Sequence, residues 1–152
     1  TLNTFYIANK KIVGSTDLSD TAEHFLVSFW TCVSKNIVQW NELIKKEISK
    51  VDLRENYIVT QGVVVQALGL IGAYFYHNPT LDMNKYLSKL QVIDWKRNAS
   101  QWKLRVIRSD GKIITSNKAI LLTAIQIKKE IGLNLSEEEQ NKEAQFLNSI
   151  NI

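Results

Sequence analysis

Tyr57-Ile58-Val59-Thr60-Gln61-Gly62-Val63-Val64-Val65-Gln66-Ala67-Leu68-Gly69-Leu70-Ile71-Gly72-Ala73-Tyr74-Phe75-Tyr76 places apolar residues on every face of a helix drawn through it. A helix without a polar stripe must be surrounded by other elements, so this run is expected to be the buried central helix of its fold. Its length alone would let it cross a bilayer. Thr60, Gln61 and Gln66, three glycines, and flanks at Arg54, Glu55 and His77 without a strong positive cluster argue for a protein core instead. A strand over Val63–Val65 is the competing local reading; the lack of a turn signal before His77-Asn78-Pro79 favours the helix. Gly62, Gly69 and Gly72 each cost a helix about 1 kcal/mol relative to Ala, and close approach of a neighbouring helix is the expected offset.

Upstream, Leu2, Phe5, Ala8 and Ile12 keep one helical face until Gly14. Asp20 followed by Glu23 resembles a capping arrangement that opens a new helix. From there Ala22, Phe25, Leu26, Phe29, Trp30, Val33, Ile37 and Trp40 hold a 3.6-residue stripe, and the aromatics within it read as core. Leu43, Ile44 and Ile48 extend that helix or form a second one after a bend near Asn36. Downstream of Pro79, Met83, Tyr86, Leu87, Leu90 and Ile93 mark a short amphipathic helix. Asn117 opens another, which Gly132 stops, and Ser136 with Glu139 spells a capping box for a last helix. Glu137, Glu138 and Glu139 suit the N-terminal end of that helix, so the acidic run reads as structural rather than as a metal site.

Between Ile93 and Asn117 the pattern changes. Leu104, Val106 and Ile113 flank Ser109-Asp110-Gly111, and Asp-Gly between alternating residues is a strong hairpin signal. With Leu104 and Val106 inward, Lys103 and Arg105, and Lys112 beyond the turn, would point outward. The expected fold is therefore mainly α: a multi-helix bundle around a buried central helix, with one small β-hairpin. Residues 1–152 fit a single helical domain, which at this size buries roughly 70% of the surface its unfolded chain exposes.

Charge is unevenly spread. Asp94 to Lys129 holds nine of the nineteen Lys and Arg residues against two carboxylates, a net of +7 in a chain of +4. A basic module on a slightly acidic body attracts anionic polymers, although a charged face that merely keeps a surface wet is the blander reading. Within the basic, hairpin-containing segment 94–118, Arg97, Arg105 and Arg108 can fork onto phosphate oxygens, and Lys96, Lys103 and Lys112 add point charge. These six residues are the candidate DNA contacts. Trp95 and Trp102 could stack on an unpaired base, but tryptophans beside a hairpin more often anchor it to the core.

Other chemistries find little support. Two histidines and one cysteine fit none of the usual zinc spacings, no carboxylate pair is framed for catalysis, and the glycines form neither a P-loop nor a dinucleotide fingerprint. No cofactor, metal or enzymatic activity is expected. Cys32 lies in an apolar helical stretch and makes a poor nucleophile; a lone cysteine suits a reduced, cytoplasmic setting. Opening at Thr1 without an initiator Met, the chain is expected to be a fragment of a longer protein.

The order of these pieces resembles the C-terminal half of the DndB family. Leu53-Arg54-Glu55-Asn56-Tyr57-Ile58, Gln61-Gly62-Val63-Val64-Val65-Gln66-Ala67-Leu68-Gly69, and Ile93-Asp94-Trp95-Lys96-Arg97-Asn98 with Trp102 carry the likeness. So does Leu122-Thr123-Ala124 through Ile127-Lys128 and Gly132-Leu133 to Leu135-Ser136-Glu137-Glu138-Glu139, and the match covers about Ala22 to Gln140. The resemblance implies a bacterial system that replaces a non-bridging phosphate oxygen of DNA with sulfur. Within it, the implied role is to bind double-stranded DNA and restrain transcription of the modification genes. The family's N-terminal DGQHR motif, on a ParB-like domain, does not occur here, so a DGQHR-type domain of the same protein is an expected partner. Where family members carry Gly-Arg soon after the second Trp, this chain has Trp102-Lys103-Leu104-Arg105, and any contact of that arginine maps to Arg105. The alternative is a helical interaction module that holds the N-terminal domain, a second copy or another modification protein through its basic face.

Overall fold

Asp20 and Glu23 stand in the first turn of a helix that runs to Asn36, the first element of a computed structural model that describes residues 20–151. The Leu2 to Ile12 pattern lies outside those residues. Seven α-helices are present among them: α1 (Asp20–Asn36), α2 (Val38–Ile44), α3 (Lys50–Asn56), α4 (Gly62–His77), α5 (Met83–Leu87), α6 (Asn117–Ile131) and α7 (Glu137–Ile150). Two 3₁₀ turns, Ser88–Val92 and Ser100–Trp102, complete the regular structure. The bend near Asn36 falls at Ile37, whose extended backbone separates α1 from α2 while its side chain stays fully buried.

The apolar run beginning at Tyr57 divides in two. Tyr57 to Gln61 is not helical, because Tyr57 and Ile58 leave α3 extended to pair with residues 95–97. From Gly62 the chain forms α4, and nine of its residues are buried, Val63, Val64, Ala67, Leu68, Ile71 and Phe75 among them. Its principal neighbour is α6, with α1 alongside. No helix among the described residues is long and apolar enough to cross a membrane.

Of the glycines assigned to close approach, Gly62 meets open space at the first helical position, whereas Gly72 faces α1 directly. A Cβ at Gly72 would sit 2.8 Å from Cε1 of Phe29, whose ring is fully buried and in contact with those of Phe25 and Trp30, so it can give way only by displacing its neighbours. Gly72→Ala should therefore lose stability despite its better helix propensity: overpacking costs about 1–3 kcal/mol and propensity returns about 1. A lower denaturation midpoint at unchanged slope would register this.

The later helices follow their local signals. Helix α6 opens at Asn117 as expected, Ser116 caps it by accepting from Ala119 N–H, and Gly132 ends it. Ser136 and Glu139 exchange both bonds of the capping box that starts α7. One large apolar cluster joins α1, α3, α4, α6 and the 88–107 region, and a smaller one, Leu122, Ile125 and Phe146, lies between α6 and α7.

The hairpin is reduced to its turn. Gly111 N–H donates to Arg108 O, Arg108 N–H donates to Lys112 O, and Gly111 takes φ +82, the left-handed geometry expected of a three-residue loop with glycine in third place. Beyond one antiparallel contact between Ile107 and Ile113, no ladder forms among the described residues. The physical reason is Leu104, held at φ +59, which breaks the extended run and inverts the alternation of side chains. Leu104 consequently turns outward and Arg105 inward, the reverse of the sequence expectation.

Candidate nucleic-acid interface

Two segments far apart in sequence meet through their backbones to start this surface. Ile58 N–H donates to Trp95 O at 3.0 Å and Arg97 N–H to Asn56 O at 2.9 Å, so the end of α3 lies beside residues 95–97. Trp95 fixes the second segment. Its ring stacks on that of Trp102 with centroids 5.5 Å apart and planes 7° from parallel, and both side chains are buried. Their indole N–H groups are satisfied by Leu90 O and Asp94 O. The tryptophans are therefore core anchors, and what they anchor is the basic loop around them.

With Trp95 turned inward, Lys96 points to solvent. Arg97 is half-buried; its Nε donates to Arg54 O at the end of α3, its Nη1 reaches Gly111 O at 3.5 Å, and its Nη2 bonds no described residue. The guanidinium thus links α3 to the 108–111 turn and keeps one amino group available. Arg108 pairs with Asp110 at 3.0 Å, both side chains well exposed. Such a pair is worth about 0–1 kcal/mol in water and can yield to a better anion.

Arg97, Lys103 and Arg108 line one hollow of about 720 Å³, together with Glu55, Asn98, Leu104, Ile107, Ser109 and Gly111. Lys96 borders an adjoining hollow of about 430 Å³ that shares Glu55, Arg97 and Asn98. Four of the six candidate contacts therefore meet on one face. Lys112 is exposed past the turn and lines neither hollow, and Lys118 faces a separate one beside Lys142.

Arg105 does not belong to this surface. It is 3% exposed and grips Glu143 through two bonds of 2.7 and 2.8 Å, while Nη1 also donates to Leu122 O and Nε to Gln101 O. Its guanidinium carbon lies 4.4 Å from the centroid of the Phe146 ring. Burial would push the Glu143 carboxyl up, but the bonds from Arg105 and Lys129 hold it below the usual carboxylate range. Lys128 is likewise buried, paired with Glu139 at 2.7 Å and seated over the Tyr74 ring. Part of the charge counted in the sequence thus fastens α7 to the body of the fold.

Sequence reasoning missed Glu143, Glu55, Asn98 and the outward Leu104. A signal for Glu143 was present: Glu139, Glu143, Phe146 and Ile150 share one helical face, and a carboxylate within an apolar stripe calls for a buried cation. Glu55 and Asn98 carry no such mark, because only the pairing of residues 56–58 with 95–97 brings them together.

Elsewhere, Cys32 is buried with its Sγ 3.2 Å from Asn84 Oδ1, and burial pushes its thiol up, away from the reactive thiolate. No group of His, Cys, Asp and Glu residues suited to a metal ion occurs among the described residues.

A family model named DndB and described as DNA-sulfur modification-associated matches residues 1–134. The chain belongs to the DndB family. No curated protein and no solved structure matches it. DndB membership ties the chain to DNA sulfur modification, and its basic face at 54–57, 95–98 and 103–111 lies wholly within the matched residues.

Proposed function

We propose that this DndB-family chain is a DNA-associated, non-catalytic regulatory domain of a DNA sulfur modification system. Lys96, Arg97, Lys103 and Arg108 contact the duplex backbone, and the domain contributes to repression of the modification genes alongside a DGQHR-type domain of the same cytoplasmic protein. One observation carries the reading: of the seven cations between Asp94 and Lys129 that are not buried, four line two adjoining hollows that share Glu55, Arg97 and Asn98. Phosphate contacts set position and register without reading bases, so the face supplies affinity, and operator choice lies elsewhere.

A titration with duplex DNA tests this. With about four phosphates neutralised, log K should fall against log salt with a slope near −3.6, a weakening of roughly 150-fold between 50 and 200 mM. A flat response would assign the basic face to an acidic protein partner instead.

A further inference from the structure

We infer that the larger hollow receives one unpaired nucleotide of DNA, its base resting on Leu104 and its phosphate on Arg97, Lys103 and Arg108. The inference rests on the DNA-contacting reading of this face. Backbone contact alone would need neither a concavity nor an apolar surface, and this site has both. Leu104 is 45% exposed at the hollow, in left-handed backbone that an L-residue with a Cβ disfavours. The surrounding loop holds it there: Leu104 N–H donates to Ile107 O at 2.6 Å, and the Val106 and Ile107 N–H groups both donate to Trp102 O. An apolar side chain held in strained backbone and offered to solvent is the kind of local cost that ligand sites retain.

The polar groups favour a nucleotide over a bare anion. Glu55 lines the same hollow as the three cations, and a carboxylate repels phosphate, so a ligand that also brings a donor for it fits better than a bare anion. A base brings one: an exocyclic amine can donate to Glu55, as cytosine N4 does to acidic side chains, and the Asn98 amide can both donate and accept. In a paired, stacked duplex the base face is covered. The ligand is therefore a nucleotide at a bulge, mismatch or strand end.

The test compares this chain's affinity for a fully paired duplex with that for the same duplex carrying one bulged 2-aminopurine. The bulged duplex should bind about tenfold more tightly, since covering roughly 55 Å² of apolar surface at about 25 cal/mol per Å² gives about that factor, and the fluorescence of the probe should change on binding. Leu104→Gly removes the apolar contact while suiting the φ of +59, so its melting temperature should hold or rise while the preference disappears. Equal affinity for the two duplexes, or a preference that survives Leu104→Gly, would overturn the inference. Salt-dependent binding of both duplexes with no preference would leave the backbone-contact reading standing; no binding of either would remove that reading as well.

Discussion

Glu143→Ala should lower the stability of this protein by about 3–5 kcal/mol, the cost of leaving a buried charge without its partner. Arg105 is nearly inaccessible, and Glu143 supplies both oxygens facing its two amino groups. For a domain of this size the loss corresponds to a fall in melting temperature of roughly 10 °C. Replacing the pair with Arg105→Met and Glu143→Leu should recover most of it, because removing both charges also removes the desolvation that the pair must overcome. Acid provides a second readout. A carboxylate whose folded pKa is depressed contributes stability above its unfolded pKa, about 4.3 for Glu, and loses that contribution as pH falls through the folded value. The advantage of the native chain over Glu143→Gln in thermal melts should accordingly be full at pH 7 and shrink below about pH 4. An unchanged difference across that range would contradict the assignment.

Lys103→Glu combined with Arg108→Glu should weaken duplex binding by at least about 100-fold, since each charge-assisted contact is worth about 1.5–3 kcal/mol and each reversal adds repulsion. The salt slope should become shallower by about two. Both side chains are exposed, and among the described residues Arg108 has only its surface partner Asp110 to lose, so the melting temperature should barely move. Arg105→Glu would be a misleading choice for such an experiment: it sets a carboxylate against Glu143, and any loss of binding would report unfolding. Anisotropy titration of the double variant beside a thermal melt separates the two causes. Retained affinity with an unchanged slope would exclude this face as the DNA contact.

The helical architecture was legible because its signals are local. Periodicity marked the buried face of α1, the lack of a polar stripe marked α4 as central, and Ser136 with Glu139 marked the start of α7. The candidate surface was legible only in part. Arg97, Lys103 and Arg108 come together as their charge density suggested, but alternation from an assumed strand assigned Leu104 and Arg105 to the wrong sides. Period-two reasoning needs extended backbone on both sides of a residue, and one left-handed φ at Leu104 removed it. The inward course of Arg105 is settled by a carboxylate 38 positions away, beyond the reach of any window reading.

The pairing of Tyr57 with Lys96 has a consequence for how far this surface can be trimmed. A peptide spanning 94–118 would keep all four cations of this surface but not its shape, because Glu55 comes from α3 and the stacked indoles behind the loop need the rest of the bundle to stay dry. Attraction to polyanions is portable with the segment; discrimination among them belongs to the folded whole.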